Sequence, residues 1–271
     1  MSAWIANARM YAVTPEVEAR WRTLLEHVAA DAAVALTYLP YPAPQPLEAL
    51  WTRPDLGAVL MCGYPIALEL AAVVPLAAPI PHAPWAAGRP VYRTDLIVRE
   101  DSHYRRLEDT FGARAGWTVT HSHSGFNAFR QHLLAHRTSE RPALYAEMHG
   151  NLVTARNVLD AVREGRIDVG PLDAYWHRLI ARHAPQLTAG VRVLESTALA
   201  PMPPFVAAAG LPGESARRLR ESFVHAATRS WFAPLAQDLE LEGFAAVAAP
   251  TFAVLRQWER DARAAGYDRP A

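Results

Sequence analysis

Strand-like and helical patterns alternate along most of this chain of 271 residues. An apolar run at 5–13 is followed by a helix start at 14–17, which has a threonine cap, a proline and an early acid. Further apolar runs follow at 33–39 and 56–61, separated by a proline-rich turn. Alternation of this kind is typical of α/β proteins. We therefore expect an α/β fold with mixed, mostly parallel sheets.

The pattern also predicts two lobes. Residues 95–185 contain a second series of strands and helices, and the run 191–196 is predicted to return to the first lobe. The expected boundaries are 1–92 plus 190–271 for lobe 1, and 93–189 for an inserted lobe 2, with a two-strand hinge between them. Two α/β lobes joined in this way form a cleft, and its walls are loops after strands and helix N-termini, where ligands bind.

Charge and composition exclude several functions. The 27 basic and 27 acidic residues cancel, so nothing attracts the chain to nucleic acid or an anionic membrane. Every basic residue is arginine, which excludes Schiff-base chemistry and a Walker-type phosphate loop. The single cysteine, Cys62, allows no intramolecular disulfide and no metal cluster. We expect no cofactor.

The sequence leaves the cellular location open. Residues 1–11 have no basic start, apolar core or cleavage site, so we find no secretory signal in them. The longest apolar run, 67–80, is interrupted by Glu69 and two prolines and is too short to span a bilayer. We expect a periplasmic protein if a signal peptide has been removed, and a cytoplasmic one if Met1 is the natural start.

The segment 120–130 is the most informative for function. A predicted strand leads into His121-Ser122-His123-Ser124-Gly125, and a helix begins at once. The free N–H groups of a first helical turn and the helix dipole favour an anion, and the two serine hydroxyls add donors. Such a site needs no lysine. The alternative is that Ser124 only caps the helix.

This segment resembles the Ser-x-Ser-Gly-Tyr-Asn-Ala-Leu-Arg motif of the phosphate/phosphite/phosphonate-type substrate-binding proteins of ABC transporters. Three other blocks are similar to the same family in the same order, and the likeness extends from the first strand to about Phe205. They are the strand and Gly-Tyr-Pro loop at 55–65, the inter-lobe strand at 91–99, and the helix with its Gly and two aspartates at 158–173.

The resemblance implies a type II periplasmic-binding-protein (Venus-flytrap) fold and a role in ABC-type uptake. A small anionic or zwitterionic molecule, phosphonate-like or another organic anion, would bind in the cleft, and a permease is a possible partner. Tyr11 and Tyr64 would line one lobe, unless they are core aromatics. Ser122, Ser124 and Gly125 would hold the anionic end from the other lobe. Asp173 would bind an amine or hydroxyl of the ligand, or else cap the next helix.

The chain departs from the family at one place. The family usually has Gly-x-His before the helix that precedes the Gly-x-x-Asp turn, and Ala155 stands at the histidine position, preceded by Val153 and Thr154. His149 lies nearby, and Asn151 and Thr154 can cap or donate. His121 and His123 are additional, and either could supply pH-dependent charge to the anion.

The full set of candidate ligand-binding residues is Tyr11, Tyr64, Tyr92, His121, Ser122, His123, Ser124, Gly125, His149, Asn151 and Asp173. Two other functions compete with solute binding. One is a cytoplasmic enzyme on the same fold, using histidines and Asp173 for acid-base work on a small organic acid. The other is a ligand-sensing domain. A metal site of His121, His123 and His149 is disfavoured, because alternate residues of a strand point to opposite faces.

Overall fold

The computed structural model describes residues 4–271, so residues 1–3 of the predicted first lobe lie outside the described residues. The chain forms two compact units. The first consists of the chain through Tyr92 together with Pro201–Ala253, and the second consists of Arg93–Ala200 together with Val254–Ala271.

The first unit is built on a six-stranded sheet. The strands are β1 (Trp4–Asn7), β2 (Leu36–Tyr38), β3 (Leu56–Leu60), β4 (Val73–Pro81), β12 (Phe205–Ala208) and β13 (Leu241–Ala246). Their order is β13-β4-β12-β3-β1-β2. Strands β1, β2 and β3 are parallel, and the remaining pairings are antiparallel. The helices are α1 (Pro15–Ala32), α2 (Leu47–Trp51), α3 (Gly63–Ala67), α8 (Gly213–His225) and α9 (Phe232–Leu239).

The predicted helix start is found at α1. The hydroxyl of Thr14 accepts a hydrogen bond from the amide of Val17 at 3.3 Å, and Pro15 occupies the first turn. Trp21 on the inner face of α1 is fully buried, and its ring centroid lies 5.8 Å from that of Phe205 on β12. Helix α1 is thereby fixed on the sheet by aromatic packing as well as by its cap.

The second unit is built on a five-stranded sheet with the order β10-β6-β9-β7-β8. Its strands are β6 (Thr94–Arg99), β7 (Arg114–Gly116), β8 (Glu147–His149), β9 (Val169–Asp173) and β10 (Val191–Ser196). Its helices are α4 (Ala128–Leu134), α5 (Ala155–Arg163), α6 (Ala174–His183) and α7 (Pro185–Thr188), and α10 (Ala253–Ala264) contributes all but its first residue. The short strands β5 (Val91–Tyr92) and β11 (Ala200–Pro201) form a separate two-stranded sheet.

The dipeptide Gly170-Pro171, after the predicted strand 167–169, predicts a strand end, but β9 passes through it. Proline is tolerated there because β9 is paired with its parallel neighbour β7 only at Val169. The missing N–H of Pro171 therefore leaves no partner unsatisfied on that side. This extension carries the chain to Asp173, which is registered opposite Thr94 on β6.

The units depart from the predicted lobe boundaries in two places. Strand β10 pairs antiparallel with β6, so 191–196 belongs to the second unit and not to the first. Residues 254–271, predicted in lobe 1, also belong to the second unit. The periodicity of a terminal helix identifies its buried face but not the surface against which that face packs. Antiparallel pairs are also more frequent than the alternation indicates: β6 is antiparallel to β9 and β10, β12 to β3 and β4, and β13 to β4.

No helix among residues 4–271 is long and apolar enough to cross a membrane.

Candidate functional site

The segment 122–127 forms a wide helical turn that continues directly into α4. Ser122 is its N-cap, and the Ser122 hydroxyl accepts a hydrogen bond from the amide of Gly125 at 3.0 Å. The Ser122 carbonyl accepts from the amide of Asn127, also at 3.0 Å. We call this segment, Ser122–Asn127, the anion turn. The interpretation in which Ser124 is the cap is wrong, because Ser122 occupies that position.

The anion turn is held against the end of β7. The amide of Thr118 donates to the carbonyl of Gly125 at 3.1 Å, and the amide of Ser122 donates to the carbonyl of Val119 at 3.0 Å. A Cβ atom on Gly125 would lie 2.0 Å from the Thr118 hydroxyl oxygen, so only glycine fits. The glycine of the motif is thus explained by a close approach of two backbone segments.

Ser124 and Asp173 are both linked to Thr94, which the sequence analysis missed. The hydroxyl of Thr94 donates to the carbonyl of Ser124 at 3.2 Å, and Thr94 is the register partner of Asp173. Thr94 is buried, whereas Ser124 is partly exposed. Within its own strand Thr94 is one of several buried residues, and only the pairing of β6 with β9 distinguishes it, so no local signal identifies it.

Asp173 has the capping role that the sequence left as an alternative. Its Oδ1 atom accepts hydrogen bonds from the amides of Tyr175 at 2.9 Å and Trp176 at 3.0 Å, at the start of α6. The side chain is 8% exposed, so it is largely shielded from water. A role in binding the ligand stays a prediction, and it would have to be compatible with this cap.

His123, a residue of the anion turn, does not face the solvent, and its ring packs against α10. Its ring is 1% exposed, and the centroid lies 5.3 Å from that of Trp258. Burial lowers the pKa of His123 to about 3, so the imidazole is neutral at physiological pH. The expectation that His123 supplies pH-dependent charge is therefore wrong. His121 is partly exposed and remains a candidate.

The loop 149–154 runs alongside the end of β7. The carbonyl of His149 accepts from the amide of Trp117 at 3.0 Å, and the amide of Val153 donates to the carbonyl of Thr118 at 3.2 Å. The His149 imidazole is exposed and lies 3.4 Å from the carboxylate of Glu147. Asn151 is exposed and has a φ of 56°. Thr118 therefore bonds to both segments: its carbonyl to the loop and its amide to the anion turn.

The three candidate tyrosines, Tyr11, Tyr64 and Tyr92, lie in the first unit and are at most 3% exposed. The Tyr11 hydroxyl lies 4.0 Å from the sulfur of Met202, and the Tyr11 carbonyl accepts from the indole N–H of Trp21. Tyr64 lies in the first turn of α3, directly after β3. Core packing, the alternative kept for Tyr11 and Tyr64, agrees with this burial, and contact with a ligand stays a prediction for all three.

Metal ligation has little geometric support. Within the described range 4–271, no group of three or more histidine, cysteine, aspartate or glutamate side chains is placed to hold a metal ion.

A family model described as "ABC transporter, phosphonate, periplasmic substrate-binding protein" matches residues 14–251. The chain belongs to this family. The resemblance seen in the four sequence blocks is thereby confirmed. The protein is a solute-binding protein of an ABC-type uptake system, and its ligand is a small anionic or zwitterionic molecule. The family is typically periplasmic.

Solved structures agree on the fold of this family member. A binding protein component of an ABC phosphonate transporter from Pseudomonas aeruginosa has a TM-score of 0.78 at 16% identity, covering 98% of this chain and 88% of that one. PhnD1 from Prochlorococcus marinus, in complex with methylphosphonate, has a TM-score of 0.78 at 12% identity, covering 96% and 98%. A Xanthomonas citri protein bound to ATP has a TM-score of 0.69 at 18% identity, covering 98% of each chain. The predicted α/β fold of type II periplasmic binding proteins, with two lobes, is confirmed. No curated protein sequence matches the chain.

Val153-Thr154-Ala155 stands where the resemblance places Gly-x-His. Val153, at the glycine position, has a φ of 70°, and its side chain is 43% exposed. Thr154 caps α5 by accepting from the amide of Asn157 at 3.1 Å, and Ala155 is the first residue of α5. Val153 thus has a left-handed backbone, which glycine adopts freely and a β-branched residue adopts rarely.

Proposed function

We propose that the second unit binds the anionic head of a phosphonate, or of a similar small organic anion, at the anion turn Ser122–Asn127. The observation that carries this proposal is the cap at Ser122. The Ser122 oxygen accepts from the Gly125 amide, and the hydroxyl also has an O–H with which it can donate to an anion. The N–H groups at the start of the turn and the helix dipole add further attraction for negative charge.

Ser124 would contribute a second hydroxyl. Its side chain is partly exposed, and its carbonyl is held by the Thr94 hydroxyl at 3.2 Å. The donors are therefore neutral groups on a backbone that is fixed from two sides, by Thr94 and by Thr118. Neutral donors that are already positioned bind an anion without the desolvation cost of burying a side-chain cation beside it.

We further propose that Asp173 and His121 select the part of the ligand beyond its anionic head. Asp173 is placed opposite Thr94 by the β6–β9 register and favours an amine or hydroxyl. His121 precedes the cap and is partly exposed. We infer that the loaded protein delivers its ligand to an ABC permease and that it works in the periplasm, as its family description implies.

Isothermal titration of the purified protein tests this function. The probes are methylphosphonate, inorganic phosphate and adipate, and each is also examined by thermal shift, since a ligand of the native state raises the melting temperature. We expect methylphosphonate or phosphate to bind more tightly than the dicarboxylate. Ser124→Ala should weaken that binding about tenfold, which corresponds to the loss of one hydrogen bond to a charged group.

The matched control is Ser230→Ala, at an exposed serine of the first unit. It should leave affinity and melting temperature unchanged. The proposal is overturned if none of the phosphorus oxyanions binds the wild-type protein, or if Ser124→Ala and Ser230→Ala bind the same anion equally well.

A further inference from the structure

The C-terminal segment, residues 254–271, is packed against the residues that form the anion turn. It belongs to the second unit, although the chain enters it from the first. The family match ends at residue 251, so this segment lies outside the matched region. What the segment does for ligand binding is therefore a separate question from the function of the family.

Asn127 is the point of attachment. Its backbone amide closes the anion turn on the carbonyl of Ser122, while its side-chain Nδ2 donates to the carbonyl of Leu255 at 3.0 Å. The same Nδ2 lies 3.4 Å from Nδ1 of His123, whose ring packs on Trp258. Asn127 is fully buried, so these bonds form without competition from water.

Arg130 provides the second attachment, one helical turn further on. Its Nη2 donates to Oδ1 of Asn127 at 2.8 Å, and its Nη1 donates to the carbonyl of Asp268 at 2.7 Å. The side chain is 2% exposed and stacks on the ring of Phe126 at 5.0 Å. No carboxylate of the described residues lies within ion-pair distance of it. Burying a guanidinium costs free energy unless its hydrogen bonds are kept. The buried Arg130 side chain therefore requires the Asp268 carbonyl and the Asn127 side chain to stay in place.

The two attachments form one continuous path. From the carbonyls of Leu255 and Asp268, hydrogen bonds lead through Arg130 and the side chain of Asn127 to the backbone of the anion turn. If the C-terminal segment moved alone, the side-chain amide of Asn127 and the guanidinium of Arg130 would stay buried without these acceptors. The free-energy cost of such unsatisfied donors is avoided if the turn moves with the segment.

We propose that residues 254–271 act as a clasp that sets the geometry of the anion turn, with Asn127 and Arg130 as positioning residues. This inference rests on the proposed function of the turn. Ligand binding and docking of the clasp are then linked, and the linkage is reciprocal. A docked clasp raises the affinity for the anion, and a bound anion slows the opening of the clasp.

A matched pair of variants separates this role from general stability. Arg130→Met removes the link between the clasp and the turn. Arg137→Met is the control, because Arg137 contacts the same segment without touching the turn. Its Nη1 donates to the carbonyl of Ala265 at 3.1 Å, and its guanidinium lies 4.1 Å above the ring of Tyr267.

The primary measurement is amide hydrogen exchange in the ligand-free proteins, well below their melting temperatures. We expect Arg130→Met to speed exchange at Gly125 and Asn127 at least tenfold, and Arg137→Met to change it less than twofold. A chain that ends at Tyr267 lacks the Asp268 acceptor and should behave like Arg130→Met. The proposal of a clasp is overturned if exchange in the turn is unchanged in both Arg130→Met and the shortened chain. It is also overturned if Arg137→Met speeds exchange as much as Arg130→Met does.

Binding of methylphosphonate gives the second measurement. Arg130→Met should weaken it at least tenfold and Arg137→Met less than twofold, and saturating methylphosphonate should slow exchange in residues 254–271 of the wild type. If the wild type binds none of the anion probes, the proposed function fails. The exchange rates of the ligand-free variants still show whether residues 254–271 set the geometry of the turn.

Discussion

The Cα atom of Gly125 faces the side chain of Thr118 so closely that an added Cβ would lie 2.0 Å from the threonine hydroxyl, 2.8 Å from its methyl group and 2.9 Å from its Cβ. The two residues are also joined by the hydrogen bond from the Thr118 amide to the Gly125 carbonyl. The position of the anion turn is thus set by contact between the motif and the strand end that precedes it.

Gly125→Ala should therefore destabilise the protein by about 1–3 kcal/mol, the usual cost of overpacking, and weaken anion binding because the turn must move. Urea unfolding and titration with methylphosphonate measure the two effects. Gly213→Ala is the control, since an added Cβ there meets nothing within 4 Å, so it should leave anion binding unchanged and should not destabilise the protein. Thr118→Ala in the Gly125→Ala background removes two of the three close atoms and should restore part of the loss. No restoration would contradict the proposed contact.

Asp168 ties the start of β9 to β7 and should give the protein a pH-dependent stability. Burial alone would raise its pKa, but hydrogen bonds from the amide and guanidinium of Arg114 outweigh this and leave the pKa below its usual value. The carboxylate side chain is 24% exposed. Because the folded pKa is the lower one, the stabilisation is complete above the unfolded pKa of about 4 and is lost as the pH falls through the folded value.

Asp168→Asn should cost about 2 kcal/mol at pH 7, the loss of hydrogen bonds to a charged group, and much less near pH 2. Unfolding by urea at the two pH values measures the difference. Asp101→Asn is the comparison, because Asp101 also pairs with an arginine, Arg99, but is exposed to solvent. An effect of Asp168→Asn that is equal at both pH values would show that the charge is not responsible.

Local patterns predicted most of the first unit correctly. The cap at Thr14, the helix after it and the strand at 56–60 depend on residues that are neighbours in the chain, so spacing and propensity identify them. The errors arise where a distant partner decides the structure. Strand β9 continues through Pro171 because β6 supports it. The terminal segment joins the second unit because the side chains of Asn127 and Arg130 donate hydrogen bonds to the carbonyls of Leu255 and Asp268.

The candidate site divides in the same way. The position of the anion turn follows from serine, glycine and a helix start in sequence, and this was predicted. The roles of His123 and Thr94 were not. His123 was expected near the ligand and is buried against Trp258, and Thr94 was missed. In each case the decisive contact lies at least 30 residues away in the chain, and neither periodicity nor motif spacing reports such contacts.

Val153 should be a site of backbone strain. Its φ of 70° lies in the left-handed region, which costs a β-branched residue about 1–3 kcal/mol. Since the side chain is 43% exposed, its removal sacrifices little burial. Val153→Gly should therefore stabilise the protein by about 1 kcal/mol, after the entropy cost of glycine is subtracted. Val153→Ala keeps a Cβ and should not be more stable than the wild type. Urea unfolding measures both, and a glycine variant less stable than the alanine variant would contradict the strain.

His123 should make the stability of the protein depend on pH in the range where an ordinary histidine titrates. Its folded pKa of about 3 is lower than the unfolded value of about 6.5, because burial disfavours the charged ring. The unfolded chain therefore binds more protons between these values. Above pH 6.5 His123 costs the protein no stability. Below it, the free energy of unfolding falls as the pH is lowered, by up to about 1.4 kcal/mol per pH unit.

His123→Asn should lower the stability at pH 7, because it removes the ring that packs on Trp258, but it should reduce the slope between pH 6 and pH 4 by about one proton. Urea unfolding at intervals of half a pH unit measures the slope. His225→Asn is the control for the same replacement at an exposed histidine of the first unit. If His123→Asn retains the wild-type slope, the ring titrates in the folded protein as it does in the unfolded chain, and the anion turn would then carry a charged imidazole at low pH.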